Sequence, residues 1–152
     1  MTAKSLLPKL DGQGLEVAEE GRDPFAAPSQ DTYRARYVAK DGSANAALVV
    51  LFVEADTAAA QATYASLAKL LENPPAEFFG ADAEQTETDA LQIGDDRRSF
   101  VTAQADSKGN LVWTDIYRKG RAITVVQVLT SQDTDHDALR LSVAEAILDR
   151  VK

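Results

Sequence analysis

The sequence contains no cysteine. That removes disulfides, zinc–thiolate sites, thiol nucleophiles and iron–sulfur clusters together, and leaves the compartment open. Histidine occurs once, at His136. Zinc held by the common histidine sets is therefore excluded, and a Ser–His–Asp arrangement would depend on that one ring, with no Gly-x-Ser-x-Gly elbow to present the serine. No apolar run approaches the roughly 18 residues of a membrane-spanning helix, so no transmembrane segment is expected. The opening MTAKSLLPKL has an early lysine but lacks the apolar stretch of a signal peptide. Positive charge is scarce: 16 Lys and Arg stand against 24 Asp and Glu, a formal net charge of −8. With no local basic cluster, such a surface repels phosphate backbones and anionic membranes, and nucleic acid is excluded as a partner. The 8 glycines are scattered singly at turns, so neither a phosphate-binding loop nor a dinucleotide fingerprint exists. No cofactor is expected.

What is present is a chain of 152 residues, 45% apolar, long enough to bury a core as a single domain over 1–152. Its organising stretch is Leu111 to Leu129. Apolar and polar residues alternate up to Arg118, Lys119-Gly120 breaks the pattern, and a β-branched run follows from Ile123. That is a β-hairpin whose second arm is apolar on both faces, as a central strand is. A second hairpin has the same design: Thr32 to Ala39 alternates, Lys40-Asp41-Gly42-Ser43 turns, and Ala46 to Val53 returns as AALVVLFV.

Each hairpin precedes a helix. Asp56 is placed to cap a helix striped by Ala60, Tyr64, Leu67 and Leu71, which Asn73-Pro74-Pro75 ends. Asp133 or Asp135 caps a second, long C-terminal helix with Leu141, Ala144, Leu148 and Val151 as its stripe. Val50–Glu72 and Gln127–Asp149 thus echo one another as strand, cap and helix, although their identity is thin. Around these units, 1–14 and 19–31 read as a loop-like N-terminal region, with Leu15 to Ala18 a short edge strand between them. Residues 76–90 read as an acidic connecting loop, carrying Asp82, Glu84, Glu87 and Asp89, with Phe78 and Phe79 tucked into the core. Leu91 to Ile93 reads as a brief strand, Ser99 to Ala103 as another, and Asp106 to Asn110 as a loop. The fold class that follows is α+β: one mostly antiparallel sheet of about five or six strands with two main helices packed on it, the C-terminal one central.

The order hairpin, helix, acidic loop, Ile93-Gly94-Asp95, meander, C-terminal helix resembles the PsbP/Mog1-like α/β/α sandwich, as in small bacterial lipoproteins and sensor domains. Leu7-Pro8 and the hairpin turn Arg118-Lys119-Gly120 match recurrent features of such proteins. The resemblance implies a non-enzymatic, extracytoplasmic protein whose export signal lies outside this sequence; the alternative location is cytoplasmic.

Candidate site residues are few. Trp113, Tyr117, Tyr33 and Tyr37, with Arg34, Arg36 and Arg118 (and Arg121) nearby, would suit a small anionic or aromatic ligand or a protein partner. The ordinary reading is that the aromatics are half-buried sheet residues and the arginines offset local acid. Asp133, Asp135 and Asp137 could offer oxygens to calcium, but an EF-hand loop would need glycine where Ala138 stands and glutamate where Ala144 stands; helix capping accounts for these aspartates. Glu19-Glu20, Asp95-Asp96 and Glu84 with Glu87 sit in exposed, turn-like sequence and read as aids to solubility rather than as a catalytic pair. The function expected is a non-enzymatic binding or accessory domain using the aromatic–arginine face beside Trp113. The alternative is a structural or assembly subunit that self-associates or docks on a larger complex.

Overall fold

The computed structural model describes residues 1–74, 85–103, 111–130 and 135–152. Phe78, Phe79, Asp82, Glu84, the Asp106–Asn110 loop and Asp133 lie outside the described residues. Seven strands, β1 (Leu15–Gly21), β2 (Asp31–Ala39), β3 (Ala46–Val53), β4 (Gln85–Thr88), β5 (Asp96–Ala103), β6 (Leu111–Lys119) and β7 (Ala122–Thr130), form one sheet in the order β1-β2-β3-β7-β6-β5-β4. Every neighbouring pair is antiparallel. The two hairpins meet at the centre, where β3 pairs β7 with Phe52 opposite Ile123 and Val49 opposite Val126.

The sheet has seven strands rather than the five or six expected. The addition is β4, which pairs with β5 inside the stretch taken for a connecting loop. Its sequence, Gln-Thr-Glu-Thr, has no apolar member, so no alternation marks it as a strand; its pairing comes from β5. Two other boundaries differ for a similar reason. At the opposite edge, β1 runs on to Gly21 through a bulge between Val17 and Glu19, and edge strands that are wet on both faces lack a hydrophobic signature. Leu91–Ile93 is not a strand: the Ile93 amide bonds Leu91 O at 2.9 Å, and extended pairing begins only at Asp96.

Helix α1 (Thr57–Glu72) and helix α2 (His136–Leu148) lie on opposite faces of the sheet. Asp56 accepts the Ala59 amide at 2.8 Å and Asp135 the Ala138 amide at 3.1 Å, so each helix begins on a carboxylate cap. The rotation that interchanges two antiparallel strands preserves each face, so the hairpin–helix echo is a shared order of elements and not a symmetric repeat. At 13 residues against 16, α2 is the shorter helix. Its buried stripe is Arg140, Val143, Ala144, Ile147 and Leu148, while Leu141, expected in that stripe, is half-buried.

The two faces are covered unequally. On one, α2 packs over Ala47, Val49, Leu51, Val126 and Val128, and the N-terminal segment continues the layer with Leu6, Leu10 and Leu15, all buried. Residues 1–14, read as loop-like, carry two 3-10 turns, Lys4–Leu6 and Asp11–Gln13, and hold part of the core. Pro8 O accepts the Tyr37 hydroxyl at 2.7 Å, which pins that segment to β2. On the other face α1 lies chiefly over β5, β6 and β7. Only Ala60 and Ala68 of α1 are fully buried; Tyr64, Leu67 and Leu71 are half-buried.

Candidate functional site

Strand alternation makes the consequence of that unequal cover visible. Along β3, Ala47, Val49 and Leu51 are buried beneath α2, whereas Leu48 and Val50 on the other face are only half-buried. Along β7 the same holds: Val126 and Val128 are buried, Val125 and Gln127 half-buried. A groove of about 650 Å³ occupies the difference. Leu48, Val50, Phe52, Val125 and Gln127 form its floor, α1 supplies one wall with Leu67, Leu70 and Leu71, and the 22–30 loop supplies the other with Asp23, Phe25 and Gln30. Arg34 reaches the floor from β2, in register with Val50. The size falls within the roughly 300–1,000 Å³ of small-molecule sites, and an apolar lining with a few polar groups is their usual composition.

The rims are unusual for a surface. The Phe25 ring is 86% exposed, and Leu70 across the groove is 42% exposed. The loop carrying Phe25 is held by backbone contacts: the Arg22 guanidinium donates to Ala27 O, and Asp23 accepts the Phe25 amide at 3.2 Å. Phe25 and Leu70 thus stand exposed on either side of an apolar slot.

The sequence-derived candidates divide between the two faces. Tyr33, Tyr37, Trp113 and Tyr117 all lie on the α2 face, while Arg34, Arg36 and Arg118 lie on the groove face. They do not converge. Tyr37 and Tyr117 are buried, and Tyr33 is half-buried with Lys4 Nζ 5.6 Å from its ring centroid. Burial pushes both the Tyr37 and the Tyr117 phenols up, aided by the negative charge of Glu20 at the first and Asp115 at the second. Arg118 is buried and spent on structure: it donates to Asp96 at 2.5 Å, Asp95 at 3.3 Å and Gly120 O at 3.0 Å. Arg121 donates to Glu54 O at 2.9 Å and to Ala55 O.

Trp113 does meet an arginine, but one that sequence reasoning missed. Arg140 lies 4.5 Å from the Trp113 ring centroid, and the His136 ring stacks on the same indole at 4.2 Å. Both come from α2, four residues apart, so they share one helix face. Arg140 is 2% exposed and forms a bidentate pair with the fully buried Asp115, at 2.9 and 2.5 Å. Ser99 Oγ donates to the same carboxylate at 2.5 Å, and Asp137 takes the third guanidinium bond at 2.9 Å. Burial works against the Arg140 charge, but the Asp115 hydrogen bonds and charge outweigh it and hold its pKa above the ordinary value. This cluster fills the space beside Trp113 where a ligand pocket was expected, and the groove lies on the opposite face.

Asp135 and Asp137 are engaged as a helix cap and as partners of Arg140 and His136. Among the described residues no three His, Asp or Glu side chains gather as a metal site requires. Among the same residues no helix is long and apolar enough to cross a membrane.

The class this architecture defines is an α+β domain with one antiparallel sheet and a helix on each face. No protein-family model and no curated protein matches the sequence. Among solved structures, the chain is similar to the crystal structure of the extracellular domain of PknH from Mycobacterium tuberculosis, with a TM-score of 0.69 at 10% sequence identity. The match covers 98% of this chain and 94% of that one. It shows a shared fold.

Proposed function

We propose that this chain is a non-enzymatic binding domain that takes its ligand in the groove between α1 and the β2–β3–β7 surface. The observation that carries the reading is the half-exposed apolar floor at Leu48, Val50 and Val125, on strands whose other face is dry. Leaving that surface in water forgoes burial that the rest of the sheet uses, about 25 cal/mol for each Å². An occupant recovers it. Further support comes from the neighbour's description as an extracellular domain, which favours an extracytoplasmic location here. The resemblance of Leu7-Pro8, Ile93-Gly94-Asp95 and Arg118-Lys119-Gly120 to PsbP/Mog1-like proteins points the same way. Catalysis is disfavoured because, among the described residues, the charged groups beside Trp113 are paired with one another.

The test is titration with Nile red, an uncharged apolar dye. The parent protein is expected to bind it saturably with a blue-shifted emission. Val50→Trp, which fills the floor, should abolish binding without altering the circular dichroism spectrum, and Trp113→Ala should leave binding unchanged. Loss of binding in Trp113→Ala with retention in Val50→Trp would move the site to the α2 face and end this reading.

A further inference from the structure

The groove also carries a charge that its apolar walls do not need. Resting on the binding-domain reading, we propose that its natural occupant is a single-chain amphiphile with a carboxylate head group, the head on Arg34 and the chain along Val50, Phe52 and Leu67. The chain as a whole is strongly acidic, at −8, yet the β2 side of this groove is not. Arg34 and Arg36 share one carboxylate, Glu19, at 3.5 and 3.8 Å, distances too long for strong hydrogen bonds. Arg22, at the base of the adjoining loop, donates among the described residues to the carbonyls of Ala27 and Gln30. The acid on that wall, Asp23, accepts the Phe25 amide of its own loop through one carboxylate oxygen. Of these three guanidiniums Arg34 alone lines the groove, and its described ion pair is the long one to Glu19.

An amphiphile matches this division. An uncharged apolar ligand would leave the Arg34 donors facing hydrocarbon, which is costly for a half-buried guanidinium. A hydrophilic anion would waste the apolar wall. A carboxylate on Arg34 gains charge-assisted hydrogen bonds while the chain covers the floor, and Phe25 and Leu70 stand where they can close over it. Arg34 acts here as a specificity residue: it chooses among amphiphiles of equal chain length.

The experiment titrates the protein with cis-parinaric acid and competes it with palmitate, hexadecyl phosphate and hexadecanol. Palmitate is expected to displace the probe at least about tenfold better than hexadecanol, the range of one charge-assisted contact. Arg34→Gln should remove that advantage while leaving hexadecanol unchanged, and Arg34→Lys should restore part of it. Equal competition by palmitate and hexadecanol would overturn the head-group assignment and leave the groove reading standing. Stronger competition by hexadecyl phosphate, lost in Arg34→Gln, would replace the carboxylate by a phosphate and likewise overturn the assignment. Failure of all three ligands, with Nile red also unbound, would remove the groove itself.

Discussion

Replacing Asp115 by asparagine should be among the most damaging single changes in this protein. Asp115 is fully buried, and its two oxygens accept two bonds from Arg140 and one from Ser99. An asparagine there keeps the shape but turns an NH2 group toward the guanidinium and leaves a buried positive charge without its counter-ion. Breaking a buried pair from one side costs about 3–5 kcal/mol. Asp137 lies at the helix surface and still accepts from Arg140 at 2.9 Å, so Asp115→Asn falls near the lower figure. Arg140→Met strips Asp115 of both guanidinium bonds and removes the cation–π contact with Trp113, so it falls near the upper one. For a chain of this length the midpoint should drop by about 6–20 °C. The double variant Asp115→Leu/Arg140→Met should recover most of the loss, because apolar replacements of both partners remove the need for pairing. Urea unfolding can be followed by the fluorescence of the single tryptophan, which sits in the cluster, and by circular dichroism for the whole sheet. Losses below about 1 kcal/mol in both single variants would refute the claim that this pair fixes α2 to β6.

Three further outcomes follow from the same packing. Gly94 has φ +74°, and a Cβ there would stand 2.9 Å from Arg118 O, so Gly94→Ala should cost about 2 kcal/mol, read as a shifted denaturant midpoint at constant slope. Tyr37→Phe should cost about 1 kcal/mol, since the hydroxyl donates to Pro8 O, whereas Tyr117→Phe should be neutral or stabilising because that buried hydroxyl makes no well-formed hydrogen bond among the described residues. Both phenols have pKa values raised by burial. Their contribution is complete below the unfolded value of about 10 and is lost as pH rises above it, because the unfolded chain ionises first. Urea midpoints should therefore fall more steeply above about pH 10 in the parent than in Tyr37→Phe/Tyr117→Phe. Parallel curves would contradict the shared cause.

The three short motifs that suggested a family resemblance turn out to be contacts of the scaffold. Pro8 receives Tyr37, which ties the first residues to β2. Ile93-Gly94-Asp95 and Arg118-Lys119-Gly120 clip together: the Asp95 amide donates to Arg118 O at 2.7 Å, and the Asp95 carboxylate accepts the Gly120 amide at 2.8 Å. Lys119 adds a bond to Leu148 O at 2.8 Å, where α2 ends and a cation meets the negative pole of the helix. Such motifs are legible in a chain because they need particular residues at fixed local spacing, and what they report is how strands and helix ends join.

Local chemistry was enough to determine the two hairpins, the Asp56 cap and the place of both hairpins in one sheet; for the second helix it left the cap between Asp133 and Asp135. Each of these depends on neighbours in sequence or on a run apolar enough to demand burial on both sides. The strand Gln85–Thr88 and the extension of β1 to Gly21 were not legible, because an edge strand gains its structure from its neighbour's hydrogen bonds and needs no apolar pattern. Arg140 was not legible either: a charge within a helix reads as solvent-facing until the partner strand presents a buried carboxylate. Alternation along one strand already set Tyr33 and Tyr37 against Arg34 and Arg36, as the structure has them, whereas strand register was needed to show that Tyr33 and Tyr37 share a face with Trp113. Only the tertiary structure decided the groove. Strand β3 is apolar on both faces in any reading, but how far α1 shifts toward β6, and therefore how much of Leu48 and Val50 it leaves uncovered, is set by the packing of Ala60 and Ala68 against Ile116 and Ile123.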